Sequence, residues 1–361
     1  MKFAVIKNGT DRVRDNLAES ITAKFIEHGG ELSENLIEVQ FVLNLTTVDN
    51  PHVYRRRSRN VFVISLVTGY NLNGTIRSVC YTTLIRSLSN LLICAVPTNG
   101  HGTEMYFTTP EAGFYHISFN PETVYQRIFP IAGAHFATDN IIIPDLPAQY
   151  SNSTQVVEKI KRYGAVLHNL NVLPTPFPLQ EVLPPGELRH LFKIFGITGA
   201  SYGNLSAREN INGLGDTTFW MTGRGVNKAH LSKIGKDILL VKDFDLHRGT
   251  AFVSVPPEYD LKARVSVDAI EHYLIYKTFP KVGAIVHVHA WIEGVNCTRQ
   301  NYPCGTTELA QEVVELLRQT DTPERTAVGL KNHGLTITGP DLDEIFARIT
   351  NTLQTEVPMF N

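Results

Sequence analysis

Short apolar runs punctuate the first half of the chain. Residues 2–7 (KFAVIK) and 37–45 are compact and rich in branched side chains, which predicts two strands. Between them, residues 17–27 carry apolar positions at helical spacing. Strand-like runs follow at 61–67, 91–96 and 113–119, and a helical stretch from Glu122 leads to the apolar triplet 141–143. Residues 144–154 are rich in Pro, Ser and Asn and read as a boundary. A helix over 156–170 then meets a second proline cluster, Pro174 to Pro185. The pattern predicts a division between about 145 and 185: an N-terminal α+β domain over 1–150, a helix and Pro-rich linker over 151–183, and a second domain over 184–361. No internal repeat is visible.

Composition narrows the class. A length of 361 residues suits two domains, and 43% hydrophobic with 19% charged residues excludes disorder and collagen-like repetition. With 33 Lys+Arg against 35 Asp+Glu, the net charge of −2 argues against a generally basic nucleic-acid binder. No apolar run approaches the roughly 20 residues that span a bilayer. The first residues turn charged after six positions and contain no signal-peptide core, so a cytoplasmic protein without membrane partners is expected. The four cysteines, Cys80, Cys94, Cys297 and Cys304, show neither CxxC spacing nor the density of a disulfide scaffold.

The N-terminal half offers little chemistry. Arg55, Arg56, Arg57 and Arg59 form a dense guanidinium run suited to anions, although such runs are usually solvated edges. His101-Gly-Thr-Glu104 reads as a loop. The role of this half stays open: gating, partner binding or delivery of a second substrate.

The C-terminal half differs. In Ala284-Ile-Val-His287-Val-His289, a strand carries two histidines at i and i+2, so both imidazoles share one face. His333 stands 44 residues beyond His289, before a glycine. Three imidazoles around one divalent ion leave an open position, as in catalytic rather than structural sites. Asp268 lies nineteen residues before His287, at the start of a helical pattern for which Ser266 is a candidate N-cap. Its carboxylate reads either as a helix-dipole partner or as a metal-directed base.

Taken in order, Ser201-Tyr-Gly-Asn204, Trp220-Met-Thr222-Gly223, Ser266-Val-Asp268, His287-Val-His289 and Asn332-His333-Gly resemble the motifs of the class II aldolase/adducin family over about residues 184–350. That is the family of fuculose-phosphate aldolase and ribulose-phosphate 4-epimerase. The resemblance implies an α/β fold: a three-layer α/β/α domain with a mainly antiparallel central sheet, preceded by the smaller α+β domain. It implies a divalent metal, usually Zn2+ with Fe2+ or Mn2+ as alternatives, held by His287, His289 and His333 in a homotetramer. It also implies a small-molecule substrate lined by Asn204, Thr222, Gly223 and Ser266.

Two departures from the family pattern carry chemical weight. Val267 stands where many members have a second serine, which weakens a phosphate pocket and makes an unphosphorylated substrate plausible. Asp268 resembles the epimerase branch, since the aldolase branch carries glutamate there. With 28 residues after His333, the tail that brings a catalytic tyrosine from a neighbouring subunit in relatives is not expected. Tyr302 and Glu308, in the loop after the histidine strand, are candidates to protonate a leaving fragment; the plainer reading makes them a loop phenol and a helix-capping carboxylate. The expected activity is a metal-dependent carbon–carbon lyase of aldolase or decarboxylase type on a sugar-like or hydroxy-keto substrate. A 4-epimerase, an Fe(II) oxygenase and a non-catalytic adducin-like assembly domain are the alternatives.

Overall fold

The computed structural model describes residues 1–56, 61–70, 74–98, 102–111, 113–173, 185–186, 189 and 202–361. Arg57, Arg59, His101, Ser201 and positions 174–184 of the proline cluster lie outside the described residues. Two compact units divide the chain, residues 1–134 with 359–361 belonging to the first and 135–173 with 202–358 to the second.

The first unit is built on β1 (Lys2–Lys7), α1 (Arg12–Glu27), β2 (Glu31–Leu32), β3 (Phe41–Leu45), β4 (Phe62–Thr68), α2 (Ile76–Ser87), β5 (Leu91–Thr98), β6 (Gly102–Thr108), β7 (Phe114–Ser118) and α3 (Pro121–Ala132). Its sheet runs β2-β1-β3-β4-β5-β6-β7. Asp11 starts α1 by accepting a hydrogen bond from the Arg14 amide at 3.0 Å, and Leu17, Ala18, Ile21 and Phe25 bury the helix at the spacing of one face. The pairings from β2 through β5 are parallel and only β6 and β7 pair antiparallel, so the α+β expectation is corrected to a largely parallel α/β sheet. Apolar runs fix where strands lie but not their direction. Residues 102–104, read as loop, belong to β6, where Glu104 accepts from the Ser118 hydroxyl at 2.8 Å. Arg56 spends its guanidinium on the carbonyls of Val61 and Leu88 and on Asn90 Oδ1, which ties down a loop rather than presenting charge to an anion.

The second unit contains β8 (Asp139–Ile143), α4 (Gln155–Asn169), β9 (Asn204–Arg208), β10 (Phe219–Thr222), β11 (Ile238–Asp245), β12 (Thr250–Ser254), α5 (Ala269–Thr278), β13 (Ala284–Val288), α6 (Thr307–Arg318), β14 (Ala327–Leu330), β15 (Gly334–Gly339) and α7 (Leu342–Ile349). Its sheet order is β14-β15-β13-β9-β10-β11-β12-β8; β12 and β8 pair parallel and the other neighbours antiparallel. Strand β8 and helix α4, placed by the sequence in the N-terminal domain and the linker, are thus part of this unit. A short apolar triplet beside prolines carries no sign of its partner strand, which here is β12 at long range.

Alternation along β9 and β13 sets up the site. Ile285 enters the core shared with α5 and α6, so His287 and His289 project from that same face. Leu309, Ala310, Val313, Val314 and Leu317 bury the inner stripe of α6 in this core, each Leu or Val contributing roughly 1.5–3 kcal/mol. Tyr163 of α4 stacks on Phe346 of α7 at 4.1 Å between ring centroids. No helix among the described residues is long and apolar enough to cross a membrane.

Candidate metal centre

Strand register brings the histidines together. Val288 pairs with Leu335 and His287 with Thr336; continuing this antiparallel register past the end of β13 sets Gly334 opposite His289, with His333 the next residue in the turn. Asn332, in the turn between β14 and β15, has φ +58, a left-handed conformation that asparagine tolerates better than most side chains. On the other flank, β9 places Asn204 opposite His287. Gly203 allows that approach: its φ is +72, and a Cβ there would stand 2.5 Å from the His287 carbonyl oxygen.

His287, His289 and His333 are buried, and one nitrogen from each lies within 4.8 Å of the others. The Nε2 atoms of His289 and His333 are 3.1 Å apart. Two protonated nitrogens would repel at that distance, and burial lowers the pKa of all three residues, so the imidazoles are neutral. His287 Nδ1 donates to the Leu335 carbonyl at 2.9 Å, which leaves Nε2 with its lone pair free. His289 Nδ1 is buried without a hydrogen-bond partner. Three neutral imidazoles, each with one nitrogen within 4.8 Å of the others, are what a divalent ion requires, so the residues fit a metal.

Asp268 is buried and occupies the N-cap position of α5, yet its side chain makes no capping bond. Its Oδ2 instead accepts from Asn204 Nδ2 at 2.7 Å. Ser266, expected as the cap, has its hydroxyl 3.2 Å from the same amide nitrogen and 3.5 Å from the Asp268 carboxylate; Asp268 takes the cap position because the chain turns into the helix two residues later. The Asn204 amide is thereby oriented, and its Oδ1 is left buried with no partner. Thr222 is buried and accepts from the Leu205 amide at 3.3 Å; the Gly223 amide donates to the Asp237 carbonyl at 2.8 Å. These two are backbone supports for the strands around the site.

Tyr302 and Glu308 are placed elsewhere. Tyr302 packs on the apolar core that includes Leu309 and Val313, and burial raises its phenol pKa. Both Glu308 oxygens are held by His135, one at 2.7 Å from Nδ1 and the other at 2.8 Å from the backbone amide. It is Cys304, between them, that faces the histidines, with Sγ 3.4 Å from His333 Nε2.

Further polar groups under the site escaped sequence reading. Glu271 is buried, accepts from the Thr336 hydroxyl at 2.6 Å, and has its pKa pushed up to about 8 by burial and then by the Asp268 charge. His272 shares a 2.7 Å hydrogen bond with Ser206, which also meets the Tyr276 hydroxyl at 2.8 Å; burial drives the His272 pKa down to about 3. Lys228, also buried, has its pKa lowered to about 8 by burial, offset by the Asp268 charge. An acid and a histidine inside the apolar helix AIEHYLIYKT were the available signal.

Comparison with known proteins agrees with this architecture. Residues 187–299 and 291–354 match the family model "Class II Aldolase and Adducin N-terminal domain", so the C-terminal region is a class II aldolase/adducin domain and the resemblance carried by the motifs is borne out. No curated protein matches the chain. Similar solved structures include L-fuculose 1-phosphate aldolase, 18% identical over 55% of this chain and 81% of that one, TM-score 0.37. YgbL from Escherichia coli is 17% identical over 54% and 83%, TM-score 0.33. An aldolase II superfamily protein from Pseudomonas syringae is 16% identical over 55% and 73%, TM-score 0.32.

Proposed function

We propose that the chain is a metal-dependent carbon–carbon lyase, of aldolase or decarboxylase type, acting on a sugar-like or hydroxy-keto substrate. The observation that carries this reading is Asp268: a buried carboxylate that declines to cap its helix and is held by Asn204 on the flank of His287. His287, His289 and His333 hold the divalent ion, Zn2+ being favoured by an all-imidazole set with Fe2+ or Mn2+ as alternatives. When bound, that ion supplies Lewis-acid polarisation of adjacent substrate oxygens.

The remaining work falls to the chain's own groups. Asp268 Oδ1 and Oδ2 take a proton from, or return one to, the reacting carbon or its hydroxyl. The Asn204 amide keeps that carboxylate aimed, and its unpartnered Oδ1 accepts a hydrogen bond from a substrate hydroxyl. Ser266 adds a hydroxyl beside the same carboxylate. With Val267 in place of a second serine, an unphosphorylated substrate suits the pocket. Tyr302 and Glu308, one partly buried against the core and one bound to His135, are not assigned a proton-transfer role. We place the protein as a homotetramer on family grounds; light scattering of an active preparation that gives a monomer would remove that assignment.

Metal analysis coupled to turnover of sugars and hydroxy-keto acids tests the proposal. Expected is metal-dependent cleavage or decarboxylation that chelation abolishes and the divalent ion restores. Inversion of a hydroxyl without cleavage would move the assignment to a 4-epimerase, and a protein that never acquires metal would leave an assembly domain.

A further inference from the structure

Cys304 stands beside the histidine cluster. Its sulfur is 3.4 Å from His333 Nε2 and 3.9 Å from Nδ1, so it approaches the ring nitrogen that also faces His289 at 3.1 Å. Around a tetrahedral ion with bonds of about 2.0–2.1 Å to nitrogen and about 2.3 Å to sulfur, ligand edges are roughly 3.3 Å for N···N and roughly 3.6 Å for N···S. Both observed separations, which share His333 Nε2, lie close to those edges; the ligand atoms mutually within 4.8 Å are those of the three histidines, so the sulfur sits at the margin of the cluster, on the His333 side.

The backbone holds the thiol there. Gly305 has φ +73, and a Cβ at that position would stand 2.6 Å from Thr138 Cγ2 and 3.0 Å from the Val267 carbonyl oxygen, so the turn after Cys304 demands glycine. The Gly305 carbonyl accepts from the Ala137 amide at 2.8 Å, and the Thr306 hydroxyl donates to the Pro303 carbonyl at 2.8 Å. The sulfur is thus carried on a fixed turn, half-buried, outside any disulfide. His289 Nδ1 is likewise buried, with no hydrogen-bond partner among the described residues.

We propose that Cys304 is a fourth protein ligand, closing the centre as three histidines and one cysteine in the absence of substrate. This rests on the metal reading of the triad above. On ligation the thiol proton passes to solvent and a sulfur–metal bond forms; on substrate binding that bond breaks and the proton returns, with no change of oxidation state. Cys304 would then fill the position a substrate oxygen must take, so that the resting centre excludes water and other oxygen ligands.

The test is titration of the full-length, chelator-treated protein with Co2+ alone. The wild type should take up one Co2+ per chain and develop a near-ultraviolet thiolate-to-cobalt charge-transfer band. Cys304→Ser should still bind Co2+ through its histidines, without that band, and with affinity lowered by roughly 10–100-fold or more. Cys297→Ser should keep the band, since the Cys297 thiol is held near Thr298 with its pKa pushed up to about 11 by burial. Should Cys304→Ser fail to fold, alkylation of the wild type followed by peptide mapping replaces it, with Co2+ expected to protect Cys304. Co2+ bound without the band, a band that survives in Cys304→Ser, or unprotected Cys304 would overturn the assignment and leave a simple thiol contact to His333. Absence of any Co2+ uptake would instead defeat the triad reading and this inference with it.

Discussion

A buried guanidinium in the first unit and the polar groups at the centre of the second are met in opposite ways. In the first, Arg14 is fully buried, and all five of its guanidinium hydrogens are used: Nε and Nη2 on Asp15 Oδ1, Nη1 on the carbonyls of Asn8 and Thr46, Nη2 again on that of Gly9. In the second, Asn204 Oδ1, His272 Nε2 and His289 Nδ1 are buried with no hydrogen-bond partner among the described residues, whereas the corresponding atoms in the first unit, Tyr54 OH and Thr108 Oγ1, belong to no cluster of candidate ligands. Leaving one such group unmet costs about 1–3 kcal/mol. The satisfied guanidinium serves architecture; the unmet neutral groups in the unit that holds the three histidines leave hydrogen-bonding capacity for a ligand.

The largest expected departure follows from breaking the second unit's centre. Asp268→Asn keeps the size of the side chain but removes its basicity, so turnover should fall by roughly 10²–10⁴-fold while metal content is kept. Asp268→Glu should recover part of the rate. Near-normal turnover in Asp268→Asn would return the residue to a purely structural role.

Breaking the first unit should give the converse. Arg14→Met strands Asp15 and three carbonyls, and urea unfolding should show a loss of about 3–5 kcal/mol with metal stoichiometry unchanged. Arg14→Lys should rescue little, because an ammonium cannot reach four acceptors in a planar fork. A loss below about 1 kcal/mol would show that the buried guanidinium is dispensable.

Acidification sharpens the contrast more gently. The buried histidines have folded-state pKa values below the ordinary value of 6.5, about 3 for His272. Their contribution to stability is therefore complete above pH 6.5 and declines as pH falls below it, for His272 being lost towards pH 3. Each such group accounts for at most about 1.4 kcal/mol per pH unit in that window. Glu271, raised to about 8, acts in the other direction: its contribution is complete below its ordinary value of 4.5 and declines as pH rises from there towards 8. Urea midpoints of the chelator-treated protein should fall on the acid side and flatten in His272→Asn. An unchanged acid limb in that variant would remove His272 from the account.

The centre was partly legible in the sequence because strand alternation is a local rule. His287 and His289 share a face by spacing alone, and the family motifs supplied His333 and Asn204. The role of Asp268 was not decidable there, since the first position of a helix suits a cap and a base alike; the Asn204 contact and the missing capping bond are what the structure adds in support of the proposed base. Cys304 and Glu271 were missed because their significance lies in contacts to residues 29 and 65 positions away. Helix α2 gave no signal, as it buries Thr83 and Ser87 beside Leu84 and Ile85 instead of one apolar stripe. The parallel pairing of β3 with β4 was hidden for a related reason: a fully buried strand shows no alternation to read.

Metal stoichiometry in the His287→Ala, His289→Ala double variant tests the central claim most directly. The account predicts one divalent ion per wild-type chain after equilibration and gel filtration, and none in the double variant, with circular dichroism and urea unfolding showing both units folded. Stoichiometric metal retained by the double variant, or a wild type that binds none, would contradict it.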